Sequence, residues 1–376
     1  MTRIKLALLG IGDVAQRDYL PEFQRLADRA EIVAAAARTP ERLNALADQY
    51  NIPHRYTDYH QMLAEISRPG PTYADAVINL TPIQIHTETT LAALEAGKHV
   101  YTEKPIASTV AEADRIRAAA RANGRILVCA PCVRIFPQVR YAAALLAQDA
   151  IGPVYAARAH ALMGVPPWSG YPSDPSPFFA AGAGAAYDMG VYPLHTLTSL
   201  LGPVQRVNAF IDRALDQFVI NDGPLQGKIV PVESPDNWHV VLDFGEKRLG
   251  SFQANSVVAA TRAPSVEIFG LRGTIALDPI DVSAPVELYT EADGWQTMQP
   301  PFPIAHAQGR AQGPDHHLGI EHLVDCIAHG HAPLLSADHA IHVVEILEKS
   351  AHAAETGRVQ TIENTFAWEL PRESIQ

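Results

Sequence analysis

Cysteine is scarce in this chain, where it accounts for three of 376 residues. So few thiols exclude the disulfide framework that holds small secreted domains together. Cys129 and Cys132 have the C-x-x-C spacing of redox and zinc sites, but they end a predicted strand instead of opening a helix, and Cys326 stands alone. We therefore predict structural thiols at these positions, with a redox pair as the weaker alternative.

Long apolar runs and surplus positive charge are missing too. No apolar run is long enough to suggest a membrane span, and the N-terminus reads as a strand and a turn instead of a signal peptide. Acidic residues number 41 against 29 basic ones, and the net charge of −12 disfavours a nucleic-acid or anionic membrane partner. These absences indicate a cytoplasmic protein that binds neither nucleic acids nor membranes.

Histidine, by contrast, is plentiful, with 16 residues. A metal site needs ligands at a compact spacing, and the histidines late in the chain do not show one. We therefore predict solvated or hydrogen-bonded imidazoles and no bound metal. The histidines in question are His316, His317, His322, His329, His331, His339 and His342.

The length and the 47% hydrophobic content suit two domains, and the periodicity changes near residue 129. Before that point, apolar strands alternate with helical stretches, which predicts an α/β domain with a right-handed, doubly wound parallel sheet. The predicted strands are 4–9, 31–37, 75–80, 98–102 and 125–129, and the predicted helices are 14–27, 40–50, 84–96 and 109–122.

Residues 130–376 read mainly as strands joined by turns, which predicts an α+β domain on a large, mostly antiparallel sheet. Helices are predicted only at 136–149, 188–201, 316–329 and 337–355. We place the apolar residues Val240, Leu242, Phe244 and Phe252 on the outer face of this sheet. An exposed apolar patch of that kind predicts a dimer or a tetramer.

The first predicted strand runs straight into the turn Gly10-Ile11-Gly12-Asp13-Val14-Ala15. In such a G-x-G-x-x-A turn the backbone approaches a pyrophosphate, which then lies at a helix N-terminus. A tight turn without a ligand is the alternative, but the strand before it, the helix after it and the strand at 31–37 fit one βαβ unit. We therefore predict a dinucleotide site that includes Gly10, Gly12, Asp13 and Val14.

The end of the second strand bears on the choice of dinucleotide. The chain there reads Ala37-Arg38-Thr39-Pro40 and offers no carboxylate to a ribose 2′-hydroxyl. Arg38 can instead accept a 2′-phosphate and stack on the adenine, although an ordinary surface arginine is the alternative. This position favours NADP as the cofactor, with NAD still possible.

Lys104 is the most informative residue of the chain. It follows the strand at 98–102, in the sequence Glu103-Lys104-Pro105. A lysine at the C-terminal end of a parallel strand points into the crevice where open α/β sheets bind ligands. Lys104 is therefore a candidate catalytic cation.

Several of these segments resemble the glucose-fructose oxidoreductase, inositol dehydrogenase and MocA (Gfo/Idh/MocA) family. They are the glycine turn, Asn79-Leu80-Thr81-Pro82 with His86, residues 96–100 and Glu103-Lys104-Pro105. The resemblance continues in a glycine-rich D-x-G-x-Y motif at 182–192, a strand and turn at 267–275 and a helix at 339–348.

The resemblance implies a Rossmann dinucleotide-binding domain over residues 1–129 and a substrate-binding and oligomerisation domain over residues 130–376. One face of the second sheet would then border the nucleotide crevice, and the other would form a homodimer or homotetramer. Beyond the glycine turn and Arg38, the implied cofactor-binding residues are Thr81, Pro82, His86, Glu103 and Lys104.

Hydride transfer at an alcohol carbon needs a group that moves a proton and a positive charge where oxyanion character develops. Lys104 can supply the charge, and Asp188 can fix Lys104 by a charge-assisted hydrogen bond, although it can also merely cap a helix. Tyr192 can move the proton, because a phenol beside a cation ionises more readily. His195 stands where the family often has Asp, so the proton donor is Tyr192 or His195.

Proline fits a helix only in its first turn, so Pro193 predicts that regular helix begins near Val191 and leaves Asp188 in the turn before it. Upstream, the Pro/Gly-rich stretch 164–177 is long enough to be a substrate lid, and a packing loop is nearly as good an interpretation. Weaker substrate-binding candidates are Arg134, Trp168 and Tyr171.

The sequence thus predicts an NADP-preferring oxidoreductase that acts on a secondary alcohol, or the matching ketone, of a sugar, cyclitol or related polyol. Two alternatives share the fold: a redox-neutral glycoside hydrolase that keeps its nicotinamide bound, and a non-catalytic NADP-binding regulator. Retention of Lys104 with Asp188 and Tyr192 disfavours the regulator.

Overall fold

The computed structural model describes residues 3–164, 174–221, 223–302 and 313–370. These residues form two compact units. The first contains residues 3–132 and 315–340, and the second contains the other described residues from 133 onward. None of the described helices is both long and apolar enough to cross a membrane.

A six-stranded parallel sheet forms the centre of the first unit, in the order β3-β2-β1-β4-β5-β6. Its strands are β1 (Ile4–Leu9), β2 (Ala30–Ala36), β3 (His54–Tyr56), β4 (Ala76–Asn79), β5 (His99–Thr102) and β6 (Leu127–Cys129). After β3 the chain returns to place β4 beside β1, which creates the switch point where doubly wound sheets bind ligands. The predicted doubly wound parallel sheet is confirmed.

The segment after the glycine turn differs from the α-helix predicted over 14–27. It forms a π-helix at Ala15–Tyr19 and then a 3₁₀-helix at Leu20–Leu26. Pro21 gives the physical reason, because it has no N–H to donate to the carbonyl four residues earlier and so interrupts α-helical bonding.

The second unit is built on a nine-stranded sheet in the order β16-β15-β14-β13-β7-β12-β11-β8-β17, and β9 (Gln217–Val219) pairs separately with β10 (Ile229–Pro231). Among its described pairings, only that of β7 with β12 is parallel, so the predicted, mostly antiparallel sheet is confirmed. The nine strands are β7 (Val154–Leu162), β8 (Arg206–Asp212), β11 (Asn237–Gly245), β12 (Arg248–Asn255), β13 (Val266–Gly270), β14 (Gly273–Leu277), β15 (Val286–Thr290), β16 (Gly294–Met298) and β17 (Gln360–Thr361).

Eight α-helices occur in the described residues, four of them before residue 130 and four after it. They are α1 (Pro40–Gln49), α2 (Tyr59–Ile66), α3 (His86–Glu95), α4 (Val110–Ala122), α5 (Pro137–Ala147), α6 (Val191–Leu201), α7 (His317–His329) and α8 (Ala337–Thr356).

The placement of Val240, Leu242, Phe244 and Phe252 on the outer face of the large sheet is wrong. All four side chains are at most 2% exposed and belong to the core of the chain. Since successive side chains of a strand point to opposite faces, their odd-numbered neighbours on β11 face outward instead. The exposed large apolar side chains of strands β8, β11 and β12 are Phe210 (85% exposed), Val241 (56%) and Leu249 (54%).

Candidate active site

The turn after β1 has the shape that a dinucleotide requires. Gly10 has a φ of +94°, and a Cβ there would lie 2.7 Å from the Leu80 carbonyl oxygen, so only glycine fits. A Cβ on Gly12 would meet no protein atom within 4 Å. The backbone at Gly12 therefore faces open space, as close approach by a pyrophosphate demands. Beside it, the Asp13 carboxylate is ion-paired with Arg17 at 2.9 Å.

Arg38 lies just beyond the end of β2, the strand that pairs with β1 on the side away from β4. Its side chain is exposed, and no hydrogen bond or ion pair to it occurs within the part of the chain that the structure describes. Because parallel strands end at one edge of the sheet, Arg38 and the glycine turn lie at the same edge. The guanidinium is thus available to an anionic ligand.

The loop after β4 is held by a buried polar network around Asn79. The Asn79 amide donates hydrogen bonds of 2.9 Å to the hydroxyls of Thr89 and Thr90 on α3. Its carbonyl oxygen accepts from the Thr81 hydroxyl at 2.7 Å and from the Thr81 N–H at 3.2 Å. This network fixes Thr81 and the following Pro82 at the switch point. The sequence shows Asn79 only as part of the family motif and predicts no role for it.

His86 connects two loops of this edge. Its Nδ1 lies 2.9 Å from the Pro105 carbonyl oxygen, and its Nε2 lies 2.5 Å from the Thr81 carbonyl oxygen. Burial lowers the pKa of His86, and a neutral ring donates only one of these two bonds. Both ring nitrogens are occupied by the protein itself, so the direct role of His86 is to hold the loops after β4 and β5 together.

Glu103 fixes the backbone beside Lys104. One carboxylate oxygen accepts the Lys104 N–H at 2.8 Å, and the other accepts the hydroxyl of Tyr19. Glu103, directly after β5, is 7% exposed, whereas the next residue, Lys104, is partly exposed. Tyr19 is not predictable as part of this site, because nothing in its local sequence shows that it meets Glu103, 84 residues later.

The candidate residues of the second unit lie on two consecutive helices. Asp188 belongs to a π-helix at Ala186–Gly190, and Tyr192 and His195 belong to α6. Helix α6 begins at Val191, as the position of Pro193 had predicted. A Cβ on Gly190 would lie 2.7 Å from the Phe252 ring, so glycine lets this junction pack against β12.

Tyr192 and His195 are nearly buried, at 4% and 6% exposure. Burial, with a smaller effect of the nearby His342, lowers the pKa of His195 to about 3. The His195 ring is therefore neutral at physiological pH. His342 is neutral as well, because one ring nitrogen accepts from the Val204 N–H and the other lies 2.8 Å from the Asn364 carbonyl oxygen.

Of the three weaker substrate-binding candidates, only Arg134 lies within the described residues. Arg134 lies in a 3₁₀-helix at Cys132–Ile135, where burial lowers the pKa of its guanidinium. Trp168 and Tyr171 lie outside the described residues, as does most of the lid predicted over 164–177. Just beyond it, Phe179 packs in a buried cluster whose other members are Ile220, Val230 and Val232.

The thiols show no sign of a reactive site. Cys129, Cys132 and Cys326 are free and buried, and burial raises the pKa of each. Within the described ranges, no group of three or more His, Cys, Asp or Glu side chains is arranged to hold a metal ion.

A cleft of about 440 Å³ occurs elsewhere in the first unit, where α4 leads into β6. Arg117, Arg121 and Arg125 line it, and the first two are ion-paired with Asp338. Because the cleft borders the start of β6, it lies at the sheet edge opposite to Lys104. Its arginines are explained by local ion pairs, and we assign it no part in catalysis.

Comparison with known proteins identifies both halves of the chain. Residues 4–130 match the model of an oxidoreductase family with an NAD-binding Rossmann fold, and residues 139–276 match the Gfo/Idh/MocA C-terminal domain. An uncharacterized oxidoreductase of Rhizobium meliloti is 27% identical, with 96% of this chain and 100% of that protein covered.

Two further relatives have named activities. The scyllo-inositol 2-dehydrogenase (NADP⁺) of Bacillus subtilis is 26% identical, with 76% of this chain and 79% of that protein covered. The crystal structure of aldose-aldose oxidoreductase from Caulobacter crescentus, complexed with glycerol, superposes with a TM-score of 0.78 at 25% identity and covers 96% and 100% of the two chains. Together with the fold and the motifs described above, these matches show that the chain belongs to the Gfo/Idh/MocA family of oxidoreductases.

Proposed function

We propose that this protein is an NAD(P)-dependent oxidoreductase that transfers a hydride between the nicotinamide and a secondary alcohol or ketone of a sugar, cyclitol or related polyol. One observation carries the proposal: the open backbone at Gly12 and the lysine Lys104 occur at the same edge of the sheet, on either side of β4. The named relatives, an inositol dehydrogenase and an aldose oxidoreductase, support this substrate class.

The residues of the first unit fit a dinucleotide. Gly10, Gly12, Asp13 and Val14 would hold the pyrophosphate at the turn after β1, while Thr81 and Pro82 would border the nicotinamide end. Glu103 and His86 would act indirectly: Glu103 fixes the backbone beside Lys104, and His86 holds the loops after β4 and β5 together. When bound, the nicotinamide supplies the hydride acceptor or donor. We propose NADP as the preferred form, because Arg38 is exposed and the end of β2 lacks a carboxylate, while NAD remains an acceptable cofactor.

The protein residues would perform the remaining chemistry. Lys104 stabilises the developing negative charge on the substrate oxygen, and Tyr192 takes or returns its proton. Asp188 orients Lys104. His195, which is neutral, serves as a hydrogen-bond partner of the substrate, and Arg134, Trp168 and Tyr171 remain substrate-binding candidates.

A dehydrogenase screen tests this function most broadly. The purified protein is incubated with a panel of sugars, cyclitols and polyols and with each dinucleotide, and the absorbance of the reduced nicotinamide is followed. We expect turnover with at least one secondary alcohol. Release of a free sugar without any absorbance change would identify a glycoside hydrolase, and dinucleotide binding without turnover of any substrate would indicate a regulator.

We further propose that residues 1–129 form the dinucleotide-binding domain and that residues 130–376 form the substrate-binding and oligomerisation domain of a cytoplasmic homodimer or homotetramer. Phe210, Val241 and Leu249 provide exposed apolar side chains on the large sheet that suit an oligomer contact. Light scattering at micromolar concentration should give a multiple of 40.8 kDa, and the monomer mass would refute this assembly.

A further inference from the structure

Tyr19 occupies the middle of a buried hydrogen-bonded chain that ends at Lys104. The hydroxyls of Tyr19 and Tyr101 lie 2.8 Å apart, and the Tyr19 hydroxyl donates to Glu103. A phenol has one proton, so the Tyr19 oxygen accepts from Tyr101 while its proton is given to the carboxylate. The other Glu103 oxygen accepts the Lys104 N–H at 2.8 Å. Both tyrosines are at most 1% exposed, and water therefore does not compete for these bonds.

The Tyr19 ring is held on two sides. Tyr101 meets it edge-on at a centroid distance of 5.8 Å, and His316 stacks on it at the same distance with an interplanar angle of 23°. Burial first, and then the charge of Glu103, raises the pKa of Tyr19 well above its ordinary value. The hydroxyl thus remains a donor throughout the physiological range.

Tyr19 is also the last residue of the π-helix that follows the glycine turn. It therefore joins the segment next to the proposed pyrophosphate site to the loop that contains Lys104.

We infer that Tyr19 is a positioning residue of the proposed reaction: through Glu103 it fixes the backbone at Lys104 relative to the dinucleotide turn. The inference rests on the proposed function of Lys104. Without the Tyr19 hydroxyl, one buried carboxylate oxygen loses its donor, so Glu103 is released from its fixed orientation. The lysine keeps its charge but loses the fixed geometry that catalysis requires.

The pair of variants Tyr19→Phe and Tyr101→Phe tests this inference. Each removes one buried hydroxyl from the same cluster and keeps the ring, but only Tyr19→Phe removes the bond to Glu103. We expect Tyr19→Phe to lower kcat about tenfold, because a lost hydrogen bond to a charged group has roughly that effect on a rate. The dinucleotide Kd should change little, and Tyr101→Phe should leave kcat near that of the parent despite a comparable loss in Tm.

A double-mutant cycle shows whether Tyr19 acts through Glu103. If it does, adding Tyr19→Phe to Glu103→Ala should cause no further loss of kcat, since the side chain that links Tyr19 to Lys104 is already absent. Independent, multiplicative losses would overturn the inference, as would equal kcat values in Tyr19→Phe and Tyr101→Phe.

Hydrogen–deuterium exchange of the protein without cofactor supplies a readout apart from activity. The Lys104 amide should exchange faster in Tyr19→Phe than in the parent, and Tyr101→Phe should leave it protected. Unchanged protection in Tyr19→Phe would contradict the inference even if the proposed function is right. If the parent turns over no substrate, the proposed function fails, while the exchange data still decide whether Tyr19 fixes the backbone at Lys104.

Discussion

At the scale of single residues, the candidate cofactor edge is organised by buried polar side chains that bond to backbone groups. Glu103 accepts the Lys104 N–H, His86 contacts the carbonyls of Thr81 and Pro105, and Asn79 accepts the Thr81 N–H. Such bonds are worth more in a buried setting than exposed ion pairs, because water does not compete with them. Lys104, by comparison, is partly exposed, and Arg38 is exposed.

Arg38 is predicted to set the cofactor preference. Replacement by alanine removes the guanidinium that would pair with the 2′-phosphate, so NADPH should lose most of its advantage over NADH in binding titrations. A neighbouring exposed arginine, Arg42, provides the matched control, and Arg42→Ala should preserve the preference. Equal affinities for the two dinucleotides in the parent protein would contradict the assignment of Arg38.

The proton-transfer step is predicted to depend on Tyr192 more than on His195. A histidine with a pKa of about 3 is neutral at neutral pH and too weakly basic to hold the proton that the reaction transfers, so it is a poor general acid or base. Tyr192→Phe should therefore lower kcat by about 10²–10⁴, the usual effect of losing a general acid or base. His195→Asn should affect mainly the KM of the substrate. Parental kcat in Tyr192→Phe together with a collapse in His195→Asn would reverse the two roles.

A site residue can be predicted from the sequence when its position follows from a strand end, but not when it depends on packing between distant segments. Gly10, Gly12, Arg38 and Lys104 are predictable, because each lies in the turn or loop just after a strand whose end must lie at the ligand edge of a parallel sheet. Tyr19 is not predictable in this way, since its contact with Glu103 depends on side-chain packing between distant segments.

At the scale of elements, the glycine turn and the helices after it determine what the first unit can bind. The G-x-G-x-x-A motif predicts the turn itself, but the division of the next segment into a π-helix and a 3₁₀-helix was not predicted. The strands and helices with strong apolar periodicity were predicted to within a few residues. Short β3 and α2, between 54 and 66, were missed because so short a strand and helix leave little periodic signal.

The two glycines of the turn are predicted to respond differently to alanine. Gly12→Ala should leave Tm nearly unchanged, because its Cβ meets no protein atom, yet it should weaken dinucleotide binding by filling the space beside the turn. Gly10→Ala should lower both Tm and binding, since its Cβ would collide with the Leu80 carbonyl. Thermal unfolding and binding titrations measure both effects, and undiminished dinucleotide affinity in Gly12→Ala would contradict the pyrophosphate assignment.

At the scale of the whole molecule, buried histidines make stability depend on pH. Burial lowers the pKa of six of them, namely His86, His99, His160, His195, His322 and His342. The unfolded chain takes up protons near pH 6.5, whereas the folded chain does so only at lower pH. The stability that these histidines contribute to the folded state is therefore fully present above about pH 6.5, and it declines as the pH falls below that value.

His195 is predicted to account for a measurable part of this decline. At pH 5, which lies between the pKa of His195 in the unfolded chain and its pKa of about 3 in the folded chain, this one residue lowers the free energy of unfolding by about 2 kcal/mol. Urea unfolding of the parent and of His195→Asn at pH 7 and pH 5 measures it. The stability difference between the two proteins should shrink by about that amount at pH 5, and an unchanged difference would show that His195 does not titrate as described.

The central claim is that Lys104 supplies the positive charge for hydride transfer, and its most direct test is the steady-state kcat of Lys104→Ala on a substrate identified in the screen. Removal of such a charge-stabilising group costs about 10²–10³ in kcat. Dinucleotide affinity, measured on the same preparation, should survive because the glycine turn is untouched. We predict this separation of turnover from cofactor binding, and parental turnover in Lys104→Ala would contradict a hydride-transfer site built around Lys104.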